Sequence, residues 1–120
     1  MSEFHEEGLS QDAKEFHRVI QSIIEELEAV NWYKQRVDVT EDPEAKAILA
    51  HNRDEEIEHA CMGLEWLRRR YPKFHEELST YLFTEGDITE LEEHEHGEEE
   101  EEGSNSNGSL GINSLKDGDN

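Results

Sequence analysis

A lone glutamate and an E-x-x-H motif occupy the two long helical patterns of this 120-residue chain. Glu56 and His59 are three residues apart, a spacing at which two helical side chains can reach the same ion. Glu26 lies 30 positions before Glu56, in the other pattern. A set of carboxylate and imidazole donors without thiolate favours iron or manganese over structural zinc. These residues therefore predict a carboxylate-rich metal centre.

The predicted centre is half of a larger one. In four-helix bundles with a di-iron or di-manganese site, two helices each contribute a glutamate and the other two each contribute an E-x-x-H pair. The helical patterns of this chain contain each element once. We therefore expect a second copy of the chain to supply the missing half, which makes a dimer the smallest active unit.

Two long helices and a short third one are expected to position these residues. The first helical pattern runs from about Ser10 to Val37. Asp42 and Pro43 suit the N-cap and first turn of a second helix, which ends in the basic run 68–70. A third, shorter pattern spans 73–83. The predicted fold class is all-α: an antiparallel two-helix hairpin plus a short C-terminal helix, dimerising into a four-helix bundle.

The helical wheel places the candidate ligands among apolar residues. At 100° per residue, Glu26 falls inside the apolar arc of the first helix, where an unpaired carboxylate is costly. Glu56 and His59 fall in the middle of the corresponding arc of the second helix. Alternatively, the carboxylates lie at the stripe edges and His59 makes an interhelical hydrogen bond. Chance E-x-x-H matches arise easily among 32 acidic residues, as Glu93–His96 illustrates.

Other side chains around Glu26 permit both a functional and a structural interpretation. Glu25, Glu28 and Trp32 share a different face of the first helix. They form either a solvated face with an exposed tryptophan or a weaker cation site that passes ions to Glu26. Tyr33 lies two turns from Glu26 on the same face, where it either packs in the core or hydrogen-bonds a metal ligand.

The charge of the chain limits its partners. The net charge is −21, and residues 87–120 contain 12 acidic residues against one basic residue. Such a chain should repel nucleic acid and anionic membranes and attract cations. A single cysteine, Cys61, permits no internal disulfide. Neither a signal peptide nor a membrane span is recognisable, so the sequence predicts a cytosolic protein.

Composition divides the chain into five segments. We expect a flexible N-terminus, a helical domain, a disordered linker that is acidic and then rich in Gly, Ser and Asn, a short apolar motif and a final tail. Their bounds are 1–9, 10–86, 87–107, 108–116 and 117–120. The apolar motif contains Leu110, Ile112 and Leu115 at the end of a polar tether, a form suited to docking on a partner.

Three segments of the helical domain resemble the encapsulated ferritins: Ile24–Asp38, Asp42–Arg69 and Tyr81–Gly86. The resemblance implies a two-helix, ferritin-like protein that builds a four-helix di-iron site at a subunit interface, commonly within a ring-shaped decamer. It also implies ferroxidase activity, the oxidation of Fe(II) to Fe(III). The reaction would serve iron storage inside an encapsulin nanocompartment, whose shell protein is the implied partner.

The resemblance also implies roles for particular residues. The family's ferroxidase ligands match Glu26, Glu56 and His59, with two chains each contributing one set. A metal-entrance site matches Glu25, Glu28 and Trp32, and a residue beside the centre matches Tyr33. The motif at 108–116 is similar to the peptides that load cargo into encapsulins.

Two other functions are compatible with the same residues. One is a different di-metal enzyme, such as a manganese catalase; the lack of cysteine pairs argues against a rubrerythrin-like peroxidase. The other is a non-catalytic helical adaptor, in which the metal only holds the dimer together and the tail is the working part.

Overall fold

The computed structural model describes residues 3–92, and these residues form helices and no strands. Helix α1 spans Gln11–Val39, α2 spans Pro43–Arg70 and α3 spans Pro72–Tyr81. Helices α1 and α2 pack against each other along a hairpin with a three-residue connection. The all-helical fold with two long helices and a short third is therefore confirmed.

Local capping explains where the long helices begin. The Ser10 side chain accepts a hydrogen bond from the Ala13 amide at 3.1 Å, and Asp42 accepts one from the Ala45 amide at 2.8 Å. Both side chains satisfy an amide that has no partner inside the helix. At its other end, α1 continues two residues past the predicted Val37, because the weak helix propensity of β-branched residues is a small penalty.

The core of the hairpin is thin. Within residues 3–92, the buried apolar side chains are Ile23, Ala60 and Leu67. Large apolar side chains remain exposed on both helices, including Leu27 at 53% and Ile48 at 57%. Burial of apolar surface drives both folding and association, so exposed residues of this size favour packing against another molecule.

Aromatic side chains join the start of α1 to the end of α2. The ring of Phe16 packs edge-on against Tyr71 with centroids 5.0 Å apart, and Trp66 lies 6.0 Å from Tyr71. The Tyr71 hydroxyl donates to Asp12 at 3.3 Å. Partial burial, followed by the charge of Asp12, raises the pKa of Tyr71. These contacts hold the open end of the hairpin together.

Glu65 is the centre of an ion-pair network near the end of α2. Arg68 donates two hydrogen bonds to its carboxylate, at 2.7 and 2.8 Å, and Arg69 donates one at 2.7 Å. Another guanidinium nitrogen of Arg68 lies 2.8 Å from Nδ1 of His75. The hydrogen bonds from Arg68, helped by Arg69 and opposed by burial, lower the pKa of Glu65 from 4.5 to about 2.

This lowered pKa predicts a pH dependence of stability. Because the pKa of Glu65 is lower in the folded state, its contribution to stability is full above pH 4.5 and is lost as the pH falls towards about 2. We expect Glu65→Gln to destabilise the fold at pH 7 but to matter little near pH 2. Thermal unfolding at both pH values measures this, with the exposed Glu58→Gln as control. An equal effect of Glu65→Gln at both pH values would contradict the prediction.

Residues at both ends of the described region make defined contacts. The ring of Phe4 contacts His17 at 4.9 Å, and Glu3 lies 3.4 Å from His17 Nε2, so the N-terminal residues lie against α1. Residues 88–92 are helical, and the Asp87 carboxylate accepts a 2.9 Å hydrogen bond from the Thr89 amide as their cap. The rest of the predicted linker, the motif at 108–116 and the tail at 117–120 lie outside the described residues.

The C-terminal end of α3 also differs from the prediction. The sequence pattern places it at Phe83 with Gly86 after it, whereas α3 ends at Tyr81. Phe83 adopts a left-handed conformation, with φ of 61°, which is incompatible with a continuing helix. Thr84 then donates a 2.7 Å hydrogen bond to the Tyr81 carbonyl, which satisfies one of the unpaired acceptors at the helix end.

Candidate metal centre

The hairpin brings Glu26, Glu56 and His59 together. Glu26 is on α1, while Glu56 and His59 are one turn apart on α2. Each residue offers a ligand atom, and the three atoms lie within 4.8 Å of one another. This is the only grouping of three possible metal ligands found within residues 3–92. Residues 30 positions apart in sequence thus meet because the short α1–α2 connection makes the helices antiparallel.

The electrostatics of this cluster favour a cation. The carboxylates of Glu26 and Glu56 lie within 4.8 Å of each other, so their charges repel, and solvent at this half-exposed site weakens the repulsion. His59 Nδ1 is 3.8 Å from the Glu56 carboxylate, which is too long for a hydrogen bond. Glu56 and His59 therefore do not hydrogen-bond to each other, which leaves the lone pairs of this pair available to a metal ion. A divalent ion between these side chains would replace the repulsion with attraction.

The cluster lies at the surface of the hairpin. The side chains of Glu56 and His59 are 29% and 41% exposed, respectively, and Glu26 is also half-buried. Leu27 and Ile57, which follow the two glutamates, are exposed apolar residues. Iron and manganese commonly take more than three ligands, so one chain provides an incomplete coordination shell. Its open side is bordered by apolar surface suited to a protein partner.

The candidate metal-entrance residues lie apart from this cluster. Glu25, Glu28 and Trp32 are exposed, and Gln21 donates a 3.3 Å hydrogen bond to Glu25. Successive helical residues differ by 100° in direction, so Glu25 and Glu26 point to different sides of α1. Among residues 3–92 of one chain, Glu25, Glu28 and Trp32 do not converge with a third carboxylate or imidazole. Their assignment remains a prediction.

Tyr33 lies on the same side of α1 as Glu26, two turns away, and is half-buried. The Arg36 guanidinium sits 5.3 Å from the centre of its ring. This cation–π contact restrains the ring without occupying the phenolic hydroxyl. The predicted role of Tyr33 beside the centre is therefore compatible with its position and remains a prediction.

Sequence reasoning missed a neighbour of His59. The Glu55 carboxylate is 3.9 Å from Nε2 of His59 and 3.8 Å from Nε2 of His51. The three residues follow one another at intervals of four along α2, so their side chains line one strip of the helix. That H-x-x-x-E-x-x-x-H spacing is the signal that could have revealed Glu55. Its negative charge favours cations on the exposed side of His59.

Within residues 3–92, none of the helices combines the length and apolar character needed to cross a membrane. Their mixture of charged and apolar residues agrees with the thin core of the hairpin.

Known proteins resemble this chain in both sequence and structure. The sequence model of the EncFtn-like family matches residues 2–85. The encapsulated ferritin-like protein of Rhodospirillum rubrum is 55% identical over 117 residues, covering 92% of this chain and 84% of the relative. The encapsulin nanocompartment cargo protein EncC of Myxococcus xanthus is 46% identical over 48 residues, 40% of this chain and 37% of EncC.

A solved structure agrees with these sequence matches. The crystal structure of protein ne0167 from Nitrosomonas europaea aligns with a TM-score of 0.70 and 54% identity, covering 72% of this chain and 98% of that one. The family match spans the whole hairpin and α3, including all three residues of the candidate centre. This chain therefore belongs to the EncFtn-like family of encapsulated ferritin-like proteins.

Proposed function

We propose that this chain is a ferroxidase that oxidises Fe(II) to Fe(III) with O2 at a di-iron centre shared by two copies. The observation that carries the proposal is the convergence of Glu26, Glu56 and His59 within 4.8 Å at the open surface of the hairpin. Two such clusters facing each other contain four carboxylates and two imidazoles, which is the donor set of carboxylate di-iron bundles.

The chemistry of these donors suits iron as the substrate. Carboxylate oxygen and imidazole nitrogen bind Fe(II), and carboxylates bind the harder Fe(III) ion better still. Glu56 and His59 of each chain would hold one ion, and the Glu26 carboxylates would complete the donor set of the pair. Each pair of Fe(II) ions gives two electrons to O2, which takes up two protons to become hydrogen peroxide.

The charge of the donors matches that of two Fe(II) ions. Four glutamates neutralise the four positive charges of the reduced pair, so it binds without excess charge. Oxidation raises the total charge of the ions to six, and the two uncompensated positive charges favour the uptake of an anionic ligand such as hydroxide.

The acidic surface supplies the centre with ions. Exposed Glu25 and Glu28, with Trp32 beside them, form a weaker cation site on the outer side of α1. We propose that this metal-entrance site raises the local concentration of Fe(II) near Glu26. Its contribution falls with ionic strength, since exposed charges are screened.

We further propose that the protein is cargo of an encapsulin shell and works in iron storage there. The relative from Rhodospirillum rubrum is an encapsulated ferritin-like protein, and the relative from Myxococcus xanthus is an encapsulin nanocompartment cargo protein. Residues 108–116 of this chain resemble a cargo-loading peptide. The same kinship favours a homodecamer, a ring of dimers, inside the compartment of a cytoplasmic shell.

A shared centre predicts that Fe(II) strengthens association. An ion that binds only the dimer stabilises it by about 2.7 kcal/mol at 100 times its dissociation constant, which lowers the dissociation constant of the dimer by about 100-fold. Native mass spectrometry with and without Fe(II) under anaerobic conditions measures this shift. After air is admitted, an oxygen electrode measures the consumption of O2.

The outcomes of this experiment separate the alternatives. Fe(II)-dependent association followed by O2 consumption supports the ferroxidase. Association without O2 consumption identifies a metal-stabilised adaptor instead. Rapid disproportionation of hydrogen peroxide by the manganese-loaded protein identifies a catalase. If Fe(II) leaves the mass distribution unchanged, the shared centre is wrong.

A further inference from the structure

Helices α1 and α2 make a tight contact at a glycine near the candidate metal centre. A Cβ atom built on Gly63 would lie 2.6 Å from Cγ1 and 2.9 Å from Cδ1 of Ile23. Ordinary carbon–carbon contacts are about 3.5 to 4.0 Å long. The side chain of Ile23 is therefore about 1 Å closer to position 63 than any residue with a Cβ atom would allow.

Ile23 cannot easily move aside. Its side chain is 6% exposed, so it is enclosed on all sides. Isoleucine in a helix strongly prefers one χ1 rotamer, which fixes the position of Cγ1, the atom nearest to the site of the missing Cβ. A methyl group at position 63 would consequently push the helix backbones apart rather than turn one flexible side chain.

Glycine at position 63 also lowers the stability of α2. It lies in the middle of the 28-residue helix α2, where glycine destabilises the helix relative to alanine. The missing side chain matters only for the contact with Ile23, because a Cβ atom at position 63 would lie an ordinary 3.9 Å from Cγ1 of Val19. The benefit of a glycine here is the short distance between the helices.

This contact lies next to the candidate ligands. Ile23 precedes Glu26 by three residues on α1, and Gly63 follows His59 by four residues on α2. At 1.5 Å per residue the contact is about 4.5 Å from Glu26 along α1, and about 6 Å from His59 and about 10 Å from Glu56 along α2. The thin core includes few other buried side chains that could set the helix spacing there: in residues 3–92 these are Ala60 and Leu67.

We propose that Gly63 is a positioning residue for the metal centre. By allowing α1 to contact α2 through Ile23, it holds Glu26 at the distance at which its carboxylate shares an ion with Glu56 and His59. Metal–ligand distances vary by only about 0.2 Å, so a 1 Å separation of the helices would remove Glu26 from the coordination shell. This inference rests on the proposed function, because it concerns the same centre.

A pair of substitutions, one that adds the steric clash and one that removes it, tests the proposal. Gly63→Ala adds the clashing methyl group, and Ile23→Ala removes both atoms that it would meet. The native chain, both single variants and the Gly63→Ala/Ile23→Ala double variant are titrated with Co(II). The visible bands of Co(II) report its coordination geometry, and circular dichroism of the metal-free proteins reports folding.

We expect Gly63→Ala to weaken Co(II) binding at least about tenfold and to change the spectrum, while the double variant returns to within about threefold of native affinity. A purely structural role would change only the melting temperature. Native Co(II) affinity and spectrum in Gly63→Ala would overturn the proposal. So would a folded double variant that still binds weakly.

Two further outcomes are also decisive. If Gly63→Ala does not fold, the double variant alone decides: restored folding with native Co(II) binding supports the proposal, and failure of either overturns it. If the native chain binds no Co(II), the proposed metal centre itself is wrong, and the role of Gly63 is overturned with it. Native binding with an unaffected Gly63→Ala variant overturns only the role of Gly63.

Discussion

Glu26→Ala is expected to lower the initial rate of Fe(II) oxidation by 100-fold or more, to about the rate without protein. The substitution removes two of the four carboxylates of the proposed shared centre, to which each copy would contribute one Glu26. Changes outside the ligand shell already cost metal sites about 10- to 100-fold, and loss of a ligand itself costs more. The measurement is the absorbance of Fe(III) after Fe(II) is added in air.

Stability measurements distinguish this loss from unfolding. Removing Glu26 also removes a carboxylate within 4.8 Å of Glu56, so the metal-free variant should melt at the native temperature or slightly above it. Glu58→Ala is the matched control, since Glu58 is exposed and adjacent to His59 but outside the cluster. Native oxidation rates in purified Glu26→Ala would show that the centre is misassigned.

Deletion of residues 108–120 is expected to abolish capture by an encapsulin shell and to leave Fe(II) oxidation within about twofold of native. The deleted segment contains Leu110, Ile112 and Leu115, the only large apolar residues after Leu91. Such side chains at the end of a polar tether supply the buried contacts of a docking peptide, while the catalytic residues lie elsewhere in the chain. Co-expression with the shell protein, followed by purification of intact shells, measures the captured fraction.

Two further variants sharpen the targeting experiment. Deletion of residues 117–120 alone leaves the motif intact and should be captured like the full chain. Serine at positions 110, 112 and 115 preserves the length of the tether and removes its apolar contacts, and it should abolish capture like the deletion. The targeting role is refuted if shells retain the chain that lacks residues 108–120.

Helix positions could be predicted because their causes are local. Asp42 and Pro43 are a cap and a first-turn residue that mark the start of α2 without any knowledge of tertiary structure. The same holds for the alignment of Glu26 with Glu56 and His59. Helical periodicity fixes the face of each residue, and the short connection fixes the antiparallel direction of the helices.

Features that depend on particular tertiary contacts could not be predicted. In the sequence, Gly63 is only a residue that mildly destabilises a helix. Its role becomes visible only with its contact to Ile23. Nothing in the local sequence indicates that Phe83 would adopt a left-handed conformation, which is usually left to glycine. The contact of Arg68 with His75 likewise depends on the turn that the chain makes after α2.

The position of the three ligands at the surface of one hairpin has a consequence for where the chemistry occurs. If each copy holds half a centre, activity depends on the square of the chain concentration wherever dimers are scarce. A compartment that gathers many tethered copies raises their effective concentration without any new contact. Confinement would then act as the switch: iron oxidation starts where the product can be stored and stays slow elsewhere in the cell.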